Sequence, residues 1–151
     1  MKSLHNEEDL EEIRRRLERL TEFSKPKWGR MNAAQMLKHC SLVLQIPLSK
    51  LKLPETGFLI RSIGVVTKNE MKIFGNGIPP NMPTYSILKC EEQVSFEECR
   101  INLNRDLDQY YSCFLEGNLP DEHELFGKMK VSDWGFLEHK HLHHHLKQFG
   151  I

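Results

Sequence analysis

Apolar residues recur at three- and four-residue steps in four stretches of the chain, the period of an amphipathic helix. The first stretch, 6–23, opens on Asn6 as a candidate N-cap and carries a stripe of Leu10, Ile13, Leu17 and Leu20. The second, 32–45, follows the turn-like SKPKWGRM and gathers Met36, Leu37, Cys40, Val43 and Leu44 on one broad face before Pro47 closes it. The third is the best marked. Ser95 with Glu98 forms a capping box, Phe96, Leu103, Leu107, Tyr110 and Phe114 repeat behind it, and Gly117 is a natural stop. The fourth, 132–148, is followed by Gly150. Between the second and third, residues 57–74 have room for an extra helix, and 73–94, rich in Gly and Pro (FGNGIPPNMP), reads as an extended crossing loop. Little of the chain alternates with period two, so strands are not expected. The pattern predicts an all-α four-helix bundle: a helix pair, a long central crossover, then a second pair.

The length, 151 residues, suits one domain with a single core, and neither repeats nor low-complexity linkers divide it. Lys plus Arg and Asp plus Glu both number 21, which leaves no net charge. Nucleic-acid binders draw most of their affinity from phosphate contacts and carry a basic excess, so nucleic acid is not an expected partner. No apolar run is long enough to span a bilayer, and no membrane partner is expected. The opening MKSLHNEEDLEEIRRR has no apolar stretch of the secretory kind, so a cytoplasmic location is expected. Cys40, Cys90, Cys99 and Cys113 form no CxxC pair and read as buried or free thiols. Helical bundles of this size often pair through an exposed helix face. No stripe here requires it, and the expectation stays open between a monomer and a homodimer.

Five of the eight histidines fall in the C-terminal EHKHLHHHLKQFGI. They are interleaved with Leu, Lys and Gln in helical register, unlike an affinity tag. With Trp134 at zero on an ideal helix, His141 falls at about 340° and His145 at about 20°, in the middle of the apolar face. His139, His143 and His144 fall beside or opposite it and read as solvated or rim residues. Two inward imidazoles one turn apart each bring a donor and an acceptor that must be satisfied indoors. A shared metal ion satisfies them; bonds to carbonyls or buried carboxylates are the alternative. A further ligand must come from a facing helix. His39, at one border of the apolar face of the second helix, is a candidate; His123 and His5 lie outside confident helices.

The segments WGRMNAAQMLKHCS (28–41), HELFGKM (123–129) and KHLHHHLKQFG (140–150) resemble the DinB-like superfamily, and most closely its small bacterial domains of unknown function. The likeness covers both ends of the bundle, and the middle is not diagnostic. The resemblance implies an up-down-down-up path. It also implies a metal site built from one histidine of the second helix and an HxxxH pair of the last, which here are His39, His141 and His145. Relatives include thiol transferases and isomerases that use a thiol cofactor. The implied function is therefore a metal-dependent enzyme, a thiol transferase or hydrolase, that uses zinc or nickel and a low-molecular-weight thiol as co-substrate. A non-catalytic metal- or ligand-binding bundle, linked to stress, is the other reading, because no clear acid or base accompanies the histidines. Glu138 is the only carboxylate of the last helix near the predicted face. Gln148, near 320° on that face, is a candidate to orient a ligand ring or to serve as a core polar group. Trp134 and Trp28, with Tyr110 and Tyr111, are candidate pocket residues, although aromatics at helical spacing are more often core. Cys40 projects toward the core, about 100° from His39, and is not read as a nucleophile.

Overall fold

The structure is a computed structural model that describes residues 1–75 and 77–151. It is all-α in character. Five helices, α1 (Glu7–Glu18), α2 (Ala33–Leu44), α3 (Phe58–Phe74), α4 (Phe96–Leu115) and α5 (Val131–Gln148), account for most of the regular structure. A 3₁₀ turn at Ser86–Leu88 and a two-stranded antiparallel hairpin, β1 (Glu122–His123) and β2 (Gly127–Lys128), complete it. No described helix is long and apolar enough to cross a membrane.

Local chemistry sets the helix ends. Asn6 accepts the backbone N–H of Asp9, and Glu7, Glu8 and Asp9 lie in the first turn of α1, where the helix dipole favours negative charge. The sequence pattern extends this helix to residue 23, but it stops at Glu18. The Ser24 hydroxyl accepts the Thr21 N–H at 3.0 Å and diverts the backbone from the helical ladder, which leaves Phe23 exposed. Asn32 and Gln35 cap α2 reciprocally: each side chain accepts the other's backbone N–H. Ser95 caps α4, and Gly117, at φ +73, carries the chain out of it.

Helix α2 packs along α4, α1 lies on α5, and α2 meets α5. Ile13, Met36, Leu37, Leu103, Leu107, Tyr110, Trp134, Leu142 and Leu146 fill the shared core. Each such side chain contributes roughly 1.5–3 kcal/mol by leaving water. Within the long connection, α3 rests on the hairpin and the start of α5, and of its apolar side chains only Met71 is buried in the core. Gly64 permits this approach: a Cβ there would lie 2.8 Å from Leu125 Cγ. Lys68, buried, donates to Lys128 O at 2.5 Å and lies 3.7 Å from Asp133, which also pairs with Lys72.

The hairpin corrects the expectation of no strands. Its two-residue strands are too short to alternate visibly. A histidine closes it from inside: His123 Nδ1 accepts the N–H groups of Leu125 at 3.0 Å and Phe126 at 3.3 Å.

Candidate metal centre

His39 lies in the second turn of α2, and His141 and His145 lie one turn apart on α5, where the two helices meet. The structure brings the three rings together. Their ligand nitrogens lie within 4.8 Å of one another, and no other group of described His, Cys, Asp or Glu residues converges in this way. Ring centroids are 5.0 Å apart for His39 and His141, 4.9 Å for His39 and His145, and 4.6 Å for His141 and His145.

The partners of the outer nitrogens fix the tautomers. His39 Nδ1 lies 2.8 Å from the carbonyl oxygen of Leu88, which can only accept, so the ring donates there and Nε2 keeps a bare lone pair. His145 Nδ1 lies 2.9 Å from Gln148 Oε1. The amide of Gln148 is oriented by its other end, where Nε2 donates to Trp28 O at 2.8 Å, so Oε1 accepts from His145. The remaining nitrogen of His145, Nε2, is therefore also bare. His141 turns Nε2 to within 3.1 Å of His39 Nε2, and its buried Nδ1 has no partner among the described residues.

The site suits a small cation. Nitrogens bound tetrahedrally at 2.0–2.1 Å lie about 3.3–3.4 Å from each other, close to the observed separation of His39 and His141. Burial lowers all three histidine pKa values: His145 to about 3, His39 below its ordinary value, and His141 further below, with the neighbouring rings adding to the effect. At neutral pH all three are uncharged and offer lone pairs. A site of three neutral imidazoles and no carboxylate fits zinc or nickel better than hard cations, which prefer oxygen ligands.

The supporting groups come from distant segments. Gly29, at φ +81, makes room for Gln148: a Cβ there would sit 2.6 Å from its Nε2. Lys27 N–H donates to Gln148 O at 2.7 Å, so the 27–29 segment is latched to the end of α5. Trp28 is partly exposed, with its ring edge-on to His144 at 5.8 Å. Trp134 does not line the site. It is buried two turns earlier on α5, where its indole donates to Pro120 O at 2.6 Å and its ring rests against His123. Tyr110 is buried with its hydroxyl 2.9 Å from His5 Nε2, and Tyr111 donates to Glu7 at 3.3 Å.

One expectation needs correction. His139, read as a solvated or rim residue, is buried, and burial lowers its pKa to about 4. Helix α1 covers that flank of α5, which projection of a single helix does not register. Glu138 is more than a carboxylate near the face: it is buried, its Oε2 has no partner among the described residues, and burial raises its pKa to about 8. It is therefore a neutral acid at pH 7. Cys40 is a buried thiol whose pKa is pushed up by burial, which leaves it unreactive as a nucleophile. The role of Leu88 had no sequence signal, because a backbone carbonyl carries no residue signature. A cavity of about 320 Å³ opens between α2 and α4, lined by Lys38, Gln45, Ser95 and Arg105 among others, and none of the three histidines reaches it. Comparison with known proteins identifies no matching family model, curated protein or solved structure.

Proposed function

We propose that this chain is a DinB-like four-helix bundle, formed by α1, α2, α4 and α5 with α3 in the crossover. In this reading it holds one divalent metal ion with His39, His141 and His145 and uses it in thiol transfer or hydrolysis. The observation that carries this reading is the convergence of three neutral imidazoles with their ligand nitrogens within 4.8 Å, two of them with the outer nitrogen engaged. Zinc and nickel both suit the donor set.

A divalent ion with three neutral ligands keeps its charge and an open position, where a bound water or thiol loses its proton near neutral pH. The protein's own part is positional. Leu88 O and Gln148 Oε1 hold two rings in the tautomer that points Nε2 inward. The α2–α5 packing buries His39 and His145 and partly buries His141, which favours the neutral form of the rings. Glu138, on the same face of α5 one turn before His141, holds a proton at neutral pH and is the nearest acid along that helix.

One observation favours the non-catalytic alternative: none of the three histidines lines the cavity between α2 and α4, as expected for a closed binding or vestigial site.

Cobalt(II) loading separates the two readings. The catalytic reading expects tetrahedral visible bands, a new sulfur-to-cobalt band when cysteine or another small thiol is added, and conjugation of that thiol to chlorodinitrobenzene or hydrolysis of a nitrophenyl ester. All of these should be lost in His141→Ala. Cobalt bands that ignore every thiol, with no turnover, support the binding reading. Failure to bind cobalt removes both.

A further inference from the structure

Helix α3 carries its polarity the wrong way round for a lone chain. The side that meets the rest of the protein holds Arg61, Gly64, Lys68 and Lys72 beside Val65 and the buried Met71; Arg61 pairs with Glu122, and Lys68 and Lys72 pair with Asp133. The outer side holds Leu59 (73% exposed), Ile60 (59%), Ile63 (59%), Val66 (57%) and Ile73 (73%), with Phe58 (87%) and Phe74 (71%) at the ends. An exposed apolar patch of this extent marks an interaction surface.

We infer that the outer face of α3 is the contact through which two copies of this chain form a twofold dimer, with their α3 helices antiparallel. The inference does not use the histidine site. Leu59, Ile63, Val66, Glu70 and Ile73 follow each other at alternating four- and three-residue steps, the spacing of a coiled-coil seam. About Val66 the seam is self-complementary at its centre and ends, with Ile63 opposite Asn69 and Glu70 opposite Ser62 between them. An axis through Val66 sets that residue on its own copy, Leu59 against Ile73, and Phe58 against Phe74. Antiparallel pairing also separates the two Glu70 side chains, which a parallel pair would bring together within the seam.

The area is sufficient. These apolar side chains expose roughly 800–900 Å² per copy, which matches the ~800 Å² that each partner buries in a stable interface. The charge pattern disfavours a membrane surface as the occupant. An interfacial helix needs cations flanking its apolar face, and the three cations of α3 are turned toward Glu122 and Asp133.

Light scattering of the full chain on a sizing column provides the test. The expected mass is twice 17.8 kDa. The double variant Ile63→Glu, Val66→Glu should halve it without changing the far-ultraviolet circular dichroism, because both side chains are already more than half exposed. Orientation is read by oxidation: Val66→Cys should form a disulfide-linked dimer, and Ile73→Cys should do so only when mixed with Leu59→Cys. Three outcomes would overturn the inference: a wild-type mass of 17.8 kDa at roughly 100 µM, a concentration at which even a micromolar dimer is filled; a dimer that survives the double glutamate substitution; or a monomer that pellets with phosphatidylserine vesicles.

Discussion

Replacing Gln148 by leucine removes a side chain that ties a histidine of the candidate site to the chain segment before α2. The amide is buried and makes two bonds, accepting from His145 Nδ1 at 2.9 Å and donating to Trp28 O at 2.8 Å. Leucine keeps the volume but leaves a ring N–H and a carbonyl without partners. Each buried orphan costs about 1–3 kcal/mol, so the apo protein should lose roughly 2–4 kcal/mol after partial relaxation. For a chain of this length that is a fall of about 5–15 °C in Tm. The metal should register a separate effect. Without Oε1 to accept its proton, His145 is free to turn or change tautomer, and affinity should fall about 10–100-fold. Gln148→Glu isolates the two roles: it keeps the acceptor for His145 and loses the donor to Trp28, so stability should fall while zinc affinity holds. Urea unfolding of the apo protein and competition against a zinc-chelating dye measure the two quantities. A Gln148→Leu variant with wild-type zinc affinity would refute the reasoning that this amide orients a ligand.

Further outcomes follow from the same geometry. Zinc at a hundredfold over its Kd should stabilise the protein by about 2.7 kcal/mol in a thermal melt at pH 7, and His39→Ala should abolish the shift. His123 should impose an acid limit: burial lowers its folded pKa to about 4, against about 6.5 unfolded. As pH falls through 6.5 the unfolded chain takes a proton that the folded chain refuses, so stability is full above pH 7 and is lost between about 6.5 and 4. At pH 5 the loss from this residue is roughly 2 kcal/mol, and denaturation of His123→Asn across pH should lack that part of the slope. Gly64→Ala should cost about 1–3 kcal/mol in urea unfolding, since its Cβ would press on Leu125 and lift α3 from the hairpin. Asn32→Ala should cost about 1 kcal/mol by leaving the first turn of α2 uncapped.

The helices were legible where side chains cap them. Asn6 and Ser95 are local signals, and they stand at the observed starts of α1 and α4, whereas the Asn32–Gln35 cap of α2 emerges only in the structure. The inward pair on α5 was legible because a 3.6-residue period assigns His141 and His145 to one face. What failed was information carried between elements. His139 is buried by α1, which has no trace in the sequence of α5. The short hairpin at residues 122–128 depends on tertiary support from α3 and Trp134. The stripe on α3 is present in the sequence, but nothing local says that Gly64 and the inward-facing lysines would turn it away from the core. Trp134 was a candidate for the pocket because it shares a helix face with the histidines, yet two turns of rise, about 10 Å, separate it from them.

Elemental analysis of the purified protein beside His39→Ala, His141→Ala and His145→Ala tests most directly whether the three imidazoles share one ion. A shared ion predicts close to one equivalent of zinc or nickel per wild-type chain and little in any of the three variants, with helical circular dichroism retained. Wild-type protein that stays metal-free after incubation with both ions, or variants that keep their full metal content, would contradict it.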